Sequence, residues 1–522
     1  MSRSRTFRRS LFLAVALLAS LSVAAAQNRI TMNTVQIFGT IDPAKVTDYT
    51  EYMAAVNMYD GLVTVDETGA IVPLLAESWE ANDDATVYTF TLKQGATFHD
   101  GSPVTADDVV YSVQRLLAID QGPSYLVRDV LSADGVEALD ERTVRFTLDK
   151  VFSPFLATVP SLWIVNADLV RANEVDGDWG EAFLTDAEAG SGPYMLDSWT
   201  RGSEMTIRRF EDWHGTFRDG AIDEVRWIVT NDEATVRSLA ASGDLHMTSE
   251  YQANETYDAL AQNDRFRVVQ EPTATGFTLK LNTQVPPTDD VHIRKAIACA
   301  MDYETIREFI FPSDPMPGPL PPSFGEFVLD TIEPATFDLD CAREHIAQSA
   351  YSGADSIPIT HAYVAGTAFE EEIALLFQAT FEELGFDVTL QPEPWNRLTE
   401  LANDVATTPN VNQIFYGPTY PSPDSMFFSQ YHSDAAGTWT SMEWLQNEEV
   451  DALIDAARAT ADVDEQVAIY HDLQALIMDL QPNAFIGLQT VRHAMDVCLD
   501  GFSYVPMQSF DYDFSRYAWT CD

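Results

Sequence analysis

The stretch Val87–Leu117, VYTFTLKQGATFHDGSPVTADDVVYSVQRLL, decides the fold because each local signal in it agrees with the next. Residues 87–92 alternate between two faces, which is the period of a half-buried strand. Gly95 breaks this run, and the His-Asp-Gly sequence at 99–101 has the composition of a tight turn. The first half of the stretch therefore predicts a strand that ends in a turn.

The second half predicts a helix that begins at Ala106. Thr105 has the character of an N-cap, and Asp108 stands three residues later, as the acidic partner in a capping box does. Gln114 and Arg115 are expected to face outward. The residues predicted to be buried recur at helical spacing: Val109, Val110, Val113, Leu116 and Leu117.

His99 and Asp100 could in principle form a catalytic or metal-binding pair. Neither has a third potential ligand nearby in the sequence, and a His-Asp-Gly turn is well explained by local hydrogen bonds. We interpret the pair as structural.

The N-terminus has the pattern of a secretory signal peptide over residues 1–26. A basic segment precedes the apolar core 11–23, which is shorter than the roughly 20 residues that a membrane span needs. Small residues follow and predict cleavage between Ala26 and Gln27. Because no cysteine lies near this site, we expect a mature protein without a lipid anchor, in a bacterial periplasm.

Length and charge restrict the class of protein further. A chain of 522 residues with 46% hydrophobic residues is expected to fold into two or three globular domains. Its 81 acidic and 30 basic residues give a formal net charge of −51. Such a surface repels nucleic acid and anionic membranes, so neither is expected as a partner.

The four cysteines are too few and too scattered for a small disulfide scaffold, and no spacing suggests zinc. In an oxidising compartment they can form disulfides. Proximity in the sequence favours Cys299 with Cys341 and Cys498 with Cys521, although three connectivities are possible.

Strand and helix patterns alternate along much of the chain and indicate an α/β fold. A strand at 224–229 precedes a helix that Asn231 or Asp232 caps and that Gly243 ends. The polar segment 271–276 is predicted to be a break before the strand at 277–282. We expect no cofactor.

The order of these motifs resembles the solute-binding proteins of bacterial ABC importers, specifically the family that binds oligopeptides, dipeptides, nickel complexes and related solutes. Each motif is weak alone, but their order and spacing through most of the chain identify the family. The motifs are Asp42-Pro43, Tyr59-Asp60-Gly61-Leu62, Leu75-Ala76-Glu77-Ser78-Trp79, FHDG with TADDV, GSGPY at 190–194, SGDLHM at 242–247, LNT at 281–283 and DVHIRKAIACAMD at 290–302.

The resemblance implies a two-lobed, hinged fold of the periplasmic binding protein type. Lobe 1 would span residues 27–273, with an extra subdomain at about 60–190, and lobe 2 would span 274–490. Residues 491–522 would return to lobe 1. The expected function is capture of a peptide or peptide-like solute by a monomer, followed by delivery to the transmembrane subunits of a permease.

The resemblance also suggests ligand-binding residues. An aromatic wall around a Pro-rich and Gly-rich loop would bury apolar ligand surface. The predicted residues are Trp395, Arg397, Tyr416, Gly417, Thr419, Tyr420, Gly39, Thr40 and Tyr125.

One departure from the family pattern concerns Thr419, which stands where peptide-binding members place an aspartate that pairs with the ligand's α-amino group. A charge-assisted hydrogen bond contributes roughly 1.5 to 3 kcal/mol, so its loss would weaken ammonium binding roughly 10- to 100-fold. The alternative that the solute is an oligosaccharide or another non-peptide molecule therefore stays open.

Two other classes of protein fit the sequence less well. A secreted hydrolase would need a nucleophile elbow, an HExxH motif or a paired acid and base, and the sequence contains neither of the first two motifs. A metal or haem carrier would need clustered ligands, whereas the nine histidines are dispersed along the chain. We expect a binding protein without a metal site.

Overall fold

The computed structural model describes residues 28–36, 38–82 and 84–521. The predicted signal peptide and its cleavage site between Ala26 and Gln27 lie outside the described residues. Among the helices of the described part, none is long and apolar enough to cross a membrane. Helices and strands alternate as the α/β interpretation predicts.

The described residues form fifteen α-helical segments, of which several are single turns. Their bounds are Tyr49–Met58, Ala106–Ile119, Phe155–Thr158, Ala167–Ala172, Glu181–Leu184, Glu233–Ser242, Asn254–Ala261, Val291–Ala300, Tyr303–Thr305, Leu339–Gln348, Ala368–Glu383, Trp395–Leu401, Asp424–Tyr431, Glu448–Ala459 and Val463–Leu480.

The longer strands form one six-stranded sheet and two four-stranded sheets, one of which is separate from the other two. In spatial order the first sheet contains Arg29–Thr34, Glu224–Val229, Glu204–Arg209 and Tyr194–Thr200. The six-stranded sheet contains Ser313–Asp314, Asn483–Asp496, Phe266–Leu281, Val411–Tyr416, Ile357–Val364 and Phe386–Glu393. The separate sheet contains Ala76–Ala81, Val87–Leu92, Thr143–Thr147 and Val136–Asp140. Two short pairs join Val63–Val65 with Ile71–Pro73 and Leu499–Asp500 with Ala518–Trp519.

The stretch Val87–Leu117 folds as predicted in most respects. The strand Val87–Leu92 buries alternate residues, and the helix begins at Ala106. The carboxylate of Asp108 accepts hydrogen bonds from the amide and the hydroxyl of Thr105, at 2.9 and 2.7 Å. These bonds satisfy polar groups at the start of the helix, as a capping box does.

The prediction that Arg115 faces outward is wrong. Its side chain is 1% exposed, and its guanidinium donates two hydrogen bonds of 2.6 Å to the carboxylate of Asp42. Arg115 also donates to the carbonyl of Trp179. A buried guanidinium requires such partners, and they come from segments distant in sequence that helical periodicity does not reveal.

The His99 turn is held by hydrogen bonds, in line with its structural interpretation. The Nδ1 atom of His99 lies 2.8 Å from the carboxylate of Glu188, and its Nε2 atom lies 2.9 Å from the carbonyl oxygen of Gly192. Asp100 accepts from the amide and hydroxyl of Ser102. The polar groups of the turn are thus committed to holding neighbouring segments together.

The expected break at 271–276 is not observed. These residues continue the strand Phe266–Leu281, which pairs antiparallel with Asn483–Asp496 and only shifts register between Pro272 and Gly276. Thr273 and Thr275 have no partner in the register of this strand pair, and both line a cavity rather than a hydrophobic core.

The hydrophobic cores divide the chain on either side of this long strand pair. One core takes its buried residues from 30–247 and 495–517, and it also includes Tyr420. Two others take theirs from 277–486 and 316–485. The C-terminal segment is held against the helix Tyr49–Met58, where the side-chain amide of Asn57 donates to the carbonyl of Tyr512 at 2.8 Å.

Two disulfides link the four cysteines in the connectivity that sequence proximity favours. Cys299 is bonded to Cys341, and Cys498 is bonded to Cys521. The first disulfide joins the helices Val291–Ala300 and Leu339–Gln348, and the second closes the C-terminal segment onto the end of the long strand Asn483–Asp496.

Candidate functional site

A cavity lies between the cores on the two sides of the long strand pair. Its volume is about 1110 Å³ when the open solvent at its mouth is included. Residues 35–49 and 504–512 form one wall, and residues 364–439 form the opposite wall. Thr273, Thr275, Gln489 and Val491 contribute from the strand pair itself.

Aromatic side chains cover much of this cavity. On one wall, the ring of Trp395 packs edge-on against Trp439 with centroids 5.2 Å apart, and Trp439 lies 6.2 Å from Tyr416. On the other, Tyr49 packs against Tyr251, which reaches across to Phe415 with centroids 5.7 Å apart. Such rings offer apolar contact area to the flat and aliphatic parts of a small ligand.

Four carboxylates line the cavity: Asp48, Glu250, Glu370 and Asp511. Among the described residues that line it there is no lysine, arginine or histidine. The cavity therefore concentrates acidic groups in a partly enclosed space, where their interactions with a ligand are screened less than on the surface.

Two of the acids titrate far from their usual range because they are buried. Burial raises the pKa of Glu250 to about 7, although Glu250 accepts a 3.0 Å hydrogen bond from Gln489. Burial also raises the pKa of Glu370 to about 8, against the effect of a 2.7 Å hydrogen bond from the amide of Val364. Neither carboxylate forms a salt bridge among the described residues.

The other two acids are also destabilised as anions. Burial raises the pKa of Asp511 well above its ordinary value, and the charge of Glu250 raises it further. Burial raises the pKa of Asp48 as well, although its carboxylate caps the helix Tyr49–Met58 by accepting from the amides of Thr50 and Glu51. A positive charge in the cavity would stabilise the ionised form of each group.

Gln413 adds a neutral acceptor to this set. Its side chain is 2% exposed and lines the cavity from the strand Val411–Tyr416. Its amide nitrogen donates to the carbonyl of Glu370 at 2.8 Å and contacts His361. Its Oε1 atom accepts no hydrogen bond from the described residues.

The structure brings three of the predicted ligand residues to the cavity: Trp395, Tyr416 and Gly417. The bare backbone of Gly417 lies close to Thr275, where an added Cβ would come within 2.5 Å of the threonine hydroxyl. Tyr416 presents its ring, while its hydroxyl donates to the carbonyl of Ser425 at 2.6 Å.

The other six predicted residues do not line the cavity. Arg397 is exposed on the helix Trp395–Leu401, beyond the turn that carries Trp395, and pairs with Glu400. Gly39 and Thr40 lie beside Glu51, whose Oε1 accepts from the Thr40 amide.

The remaining members of that group are turned into packed regions. Tyr420 is buried and donates to Asp424 at 2.5 Å. Thr419 is 6% exposed, and its hydroxyl lies 3.5 Å from the hydroxyl of Tyr125. Their side chains therefore hold the loop together rather than facing the cavity.

Several lining residues were missed at the sequence level: Glu250, Glu370, Gln413, Trp439 and Asp511. Among 81 acids, a single carboxylate carries little information.

The described residues contain one group of side chains with the spacing of metal ligands: Cys299, Cys341 and His345. Both cysteines are already joined in a disulfide, so neither offers a thiolate. His292 extends this group, with its Nδ1 atom 3.1 Å from that of His345.

Comparison with known proteins places this geometry in context. Residues 70–438 match the family model described as bacterial extracellular solute-binding proteins, family 5 Middle. The probable D,D-dipeptide-binding periplasmic protein DdpA of Escherichia coli K12 is 28% identical over 97% of this chain and 98% of its own length.

Solved structures have the same fold. The periplasmic binding protein DppA of Helicobacter pylori, in complex with the peptide STSA, superimposes with a TM-score of 0.84 at 21% identity, covering 94% of this chain and 98% of its own. The oligopeptide-binding protein AppA of Bacillus subtilis, in complex with a nonapeptide, gives 0.84 at 21% identity, covering 95% and 100%.

These likenesses confirm the periplasmic binding protein-like fold, and the relatives compared are binding proteins rather than enzymes. The matched family model covers well over half of the chain. The protein belongs to family 5 of the bacterial extracellular solute-binding proteins.

Proposed function

We propose that this chain is the extracytoplasmic solute-binding component of an ABC importer and that it captures a peptide or peptide-like small solute in the cavity described above. The aromatic surface from Trp395 and Trp439 would pack against apolar parts of the solute. Glu250, Asp511 and Gln413 would accept hydrogen bonds from its N–H groups. The protein then acts by binding, without turnover of the solute.

The observation that carries this proposal is the composition of the cavity walls. One wall comes from residues next to the first core, including Tyr49 and Asp511, and the other from residues next to the second and third cores, including Trp395 and Gln413. A solute that touches both walls stabilises their approach, so binding selects the closed arrangement.

The two walls correspond to two lobes in this proposal. Lobe 1 spans 27–273, with an extra subdomain at about 60–190, lobe 2 spans 274–490, and residues 491–522 return to lobe 1. The paired strands Phe266–Leu281 and Asn483–Asp496 then carry the chain between lobes. The register shift between Pro272 and Gly276 is a suitable hinge, because it interrupts regular pairing at the crossing.

Export and delivery complete the proposed role. The signal peptide 1–26 would direct the chain to the periplasm, and cleavage would leave Gln27 at the N-terminus. The closed, monomeric protein would then dock on the permease subunits. Relatives named for dipeptide binding, such as DdpA, support a peptide rather than an oligosaccharide as the solute.

Ligand titration tests the proposal directly. The intrinsic fluorescence of the purified chain should change saturably on addition of a cognate dipeptide, because Trp395 and Trp439 line the cavity. Mass spectrometry of solutes released by mild denaturation identifies candidates for this titration. Saturable binding of oligosaccharides with no response to any peptide would overturn the peptide assignment, and chemical turnover of the bound solute would overturn the binding role.

A further inference from the structure

The charges around the cavity carry an inference about the ligand that rests on the proposed binding function. Four acids and no basic residue line the cavity among the described residues. A free dipeptide brings one positive and one negative terminus, and its carboxylate would find no cationic partner there. The cavity is therefore suited to only one end of such a ligand.

Glu250 and Asp511 are the two lining acids whose carboxylates accept no backbone amide from another described residue. Asp48 caps a helix, and Glu370 accepts the amide of Val364. Glu250 accepts side-chain hydrogen bonds from Tyr251 and Gln489, while Asp511 forms no salt bridge within the described part of the chain. Two ionised carboxylates in one partly buried space are costly unless they take up protons or a positive charge enters between them.

Gln413 gives independent support. Gln413 lines the cavity and is almost fully buried, and its Oε1 atom has no hydrogen-bond partner among the described residues. Leaving a buried acceptor unpaired costs free energy, which a ligand N–H donor would recover. The unpaired acceptor and the carboxylates thus favour the same ligand chemistry.

The basic groups near the cavity have other positions. Arg492 lines a smaller adjoining cavity together with Glu250, and its guanidinium lies 4.5 Å from the centre of the Tyr257 ring. Arg516 pairs with Asp513 and donates to the carbonyl of Val65. Lys280, whose Nζ lies 5.6 Å from the centre of the Tyr416 ring, is fully buried and forms an ion pair with Glu443 at 2.6 Å. None of these three basic residues lines the main cavity.

We infer that the cavity selects a solute of net positive charge, with an ammonium or guanidinium group held by Glu250 and Asp511 and with no free carboxylate. Within the proposed function this is a peptide amide or a similarly blocked cationic peptide, not a zwitterionic dipeptide. Recognition of the positive charge then comes from lobe 1, while Thr419 in lobe 2 takes no part.

A peptide panel tests this inference with the full-length protein. Each dipeptide is prepared in four forms: unmodified, with a C-terminal amide, with an N-terminal acetyl group, and with both. We expect the amide form to bind at least tenfold tighter than the unmodified form, as measured by tryptophan fluorescence or calorimetry. Acetylation of the amide form should abolish this gain, because it removes the positive charge.

Substitutions test which residues cause the tighter binding of the amide form. Glu250→Gln and Asp511→Asn should each lower the affinity for the amide form at least tenfold and change that for the doubly blocked form less than threefold. Arg492→Gln is the matched control, and it should leave the affinities for all four forms within threefold. Thermal unfolding verifies that each variant folds. The comparison of the four peptide forms on the unaltered protein tests the inference even if a variant does not fold.

The outcomes separate this inference from the proposed function. If unmodified peptides bind as tightly as their amides, or acetylated peptides bind best, the cationic selection is wrong while the peptide-binding function stands. If Arg492→Gln removes binding of unmodified peptides, a carboxylate-binding subsite exists and the inference fails in the same way. Failure of every form to bind contradicts both.

Discussion

The guanidinium of Arg115 and the carboxylate of Asp42 form a two-point ion pair that is sealed from solvent. Both hydrogen bonds measure 2.6 Å, and the side chains are 1% and 2% exposed. This pair joins the helix Ala106–Ile119, in the region of the separate four-stranded sheet, to the Asp42-Pro43 turn beside the first core. Two of the motifs that characterise the sequence are thus in direct contact.

Replacement of Arg115 by methionine should strongly destabilise the protein. It leaves the carboxylate of Asp42 buried without its cationic partner, with only the amide of Ala44 still donating to it, and breaking such a buried pair typically costs about 3 to 5 kcal/mol. Urea unfolding measures the change. The control is Arg128→Met, which removes an exposed ion pair with Asp120 and should cost less than about 1 kcal/mol; equal losses in the two variants would contradict this account.

Trp395→Ala should lower solute affinity at least tenfold with little effect on the unfolding transition. The indole lines the cavity and contacts Trp439, and its removal takes apolar contact area from the ligand. Arg397→Ala, two residues along the same helix but exposed, serves as the control and should bind normally. An unchanged dissociation constant for Trp395→Ala would exclude this residue from the binding site.

Thr419→Asp should not create a site for the amino group of a peptide. Thr419 is buried beside Tyr125 and does not line the cavity, so an aspartate there would bury a carboxylate away from the ligand. We expect a stability loss of about 1 to 3 kcal/mol and less than a twofold gain in affinity for any peptide. A tenfold gain would show that this loop reaches the ligand.

Glu370→Gln should change how stability depends on pH. The folded-state pKa of Glu370 is about 8, above the ordinary value of 4.5, so between these values the folded protein holds a proton that the unfolded chain has released. Glu370 therefore contributes most to the stability of the folded protein below pH 4.5, and this contribution is lost as the pH rises through 8. Glutamine retains an acceptor for Val364 but does not ionise.

Melting temperatures of the two proteins at pH 5 and pH 8 measure this effect. Relative to Glu370→Gln, the original protein should lose up to roughly 3 kcal/mol over this interval. The difference between the proteins removes contributions from other titrating groups. A difference independent of pH would mean that Glu370 does not hold its proton in the folded state.

Much of the fold was accessible from local sequence patterns. The strand Val87–Leu92, the start of the helix at Ala106 and the cap of Glu233–Ser242 by Asp232 depend on neighbouring residues, so periodicity and capping chemistry predict them. Arg115 was misjudged because its partner Asp42 is 73 positions away in the sequence. An ion pair with a residue distant in the sequence does not change the helical periodicity of the apolar residues, so periodicity cannot predict it.

The site was less accessible, since a cavity is defined by the arrangement of distant segments. Trp395 and Tyr416 could be found through the family resemblance, which carries knowledge of that arrangement. Glu250 and Asp511 could not be distinguished among 81 acids, because what sets them apart is burial in a cavity lined by segments distant in sequence. The polar strand residues Thr273 and Thr275 were misread as a break for the same reason.

The hydrogen bond from the hydroxyl of Ser509 to the carbonyl of Tyr49 spans 460 positions of sequence. Both residues line the cavity, so its wall cannot close before the end of the chain is available. A chain that ends before Ser509 lacks Asp511 of the cavity and also Tyr512, Phe514 and Tyr517 of the first core. In the proposed function, retention of the solute is therefore a property of the finished polypeptide, and prematurely terminated products would not compete with it for solute.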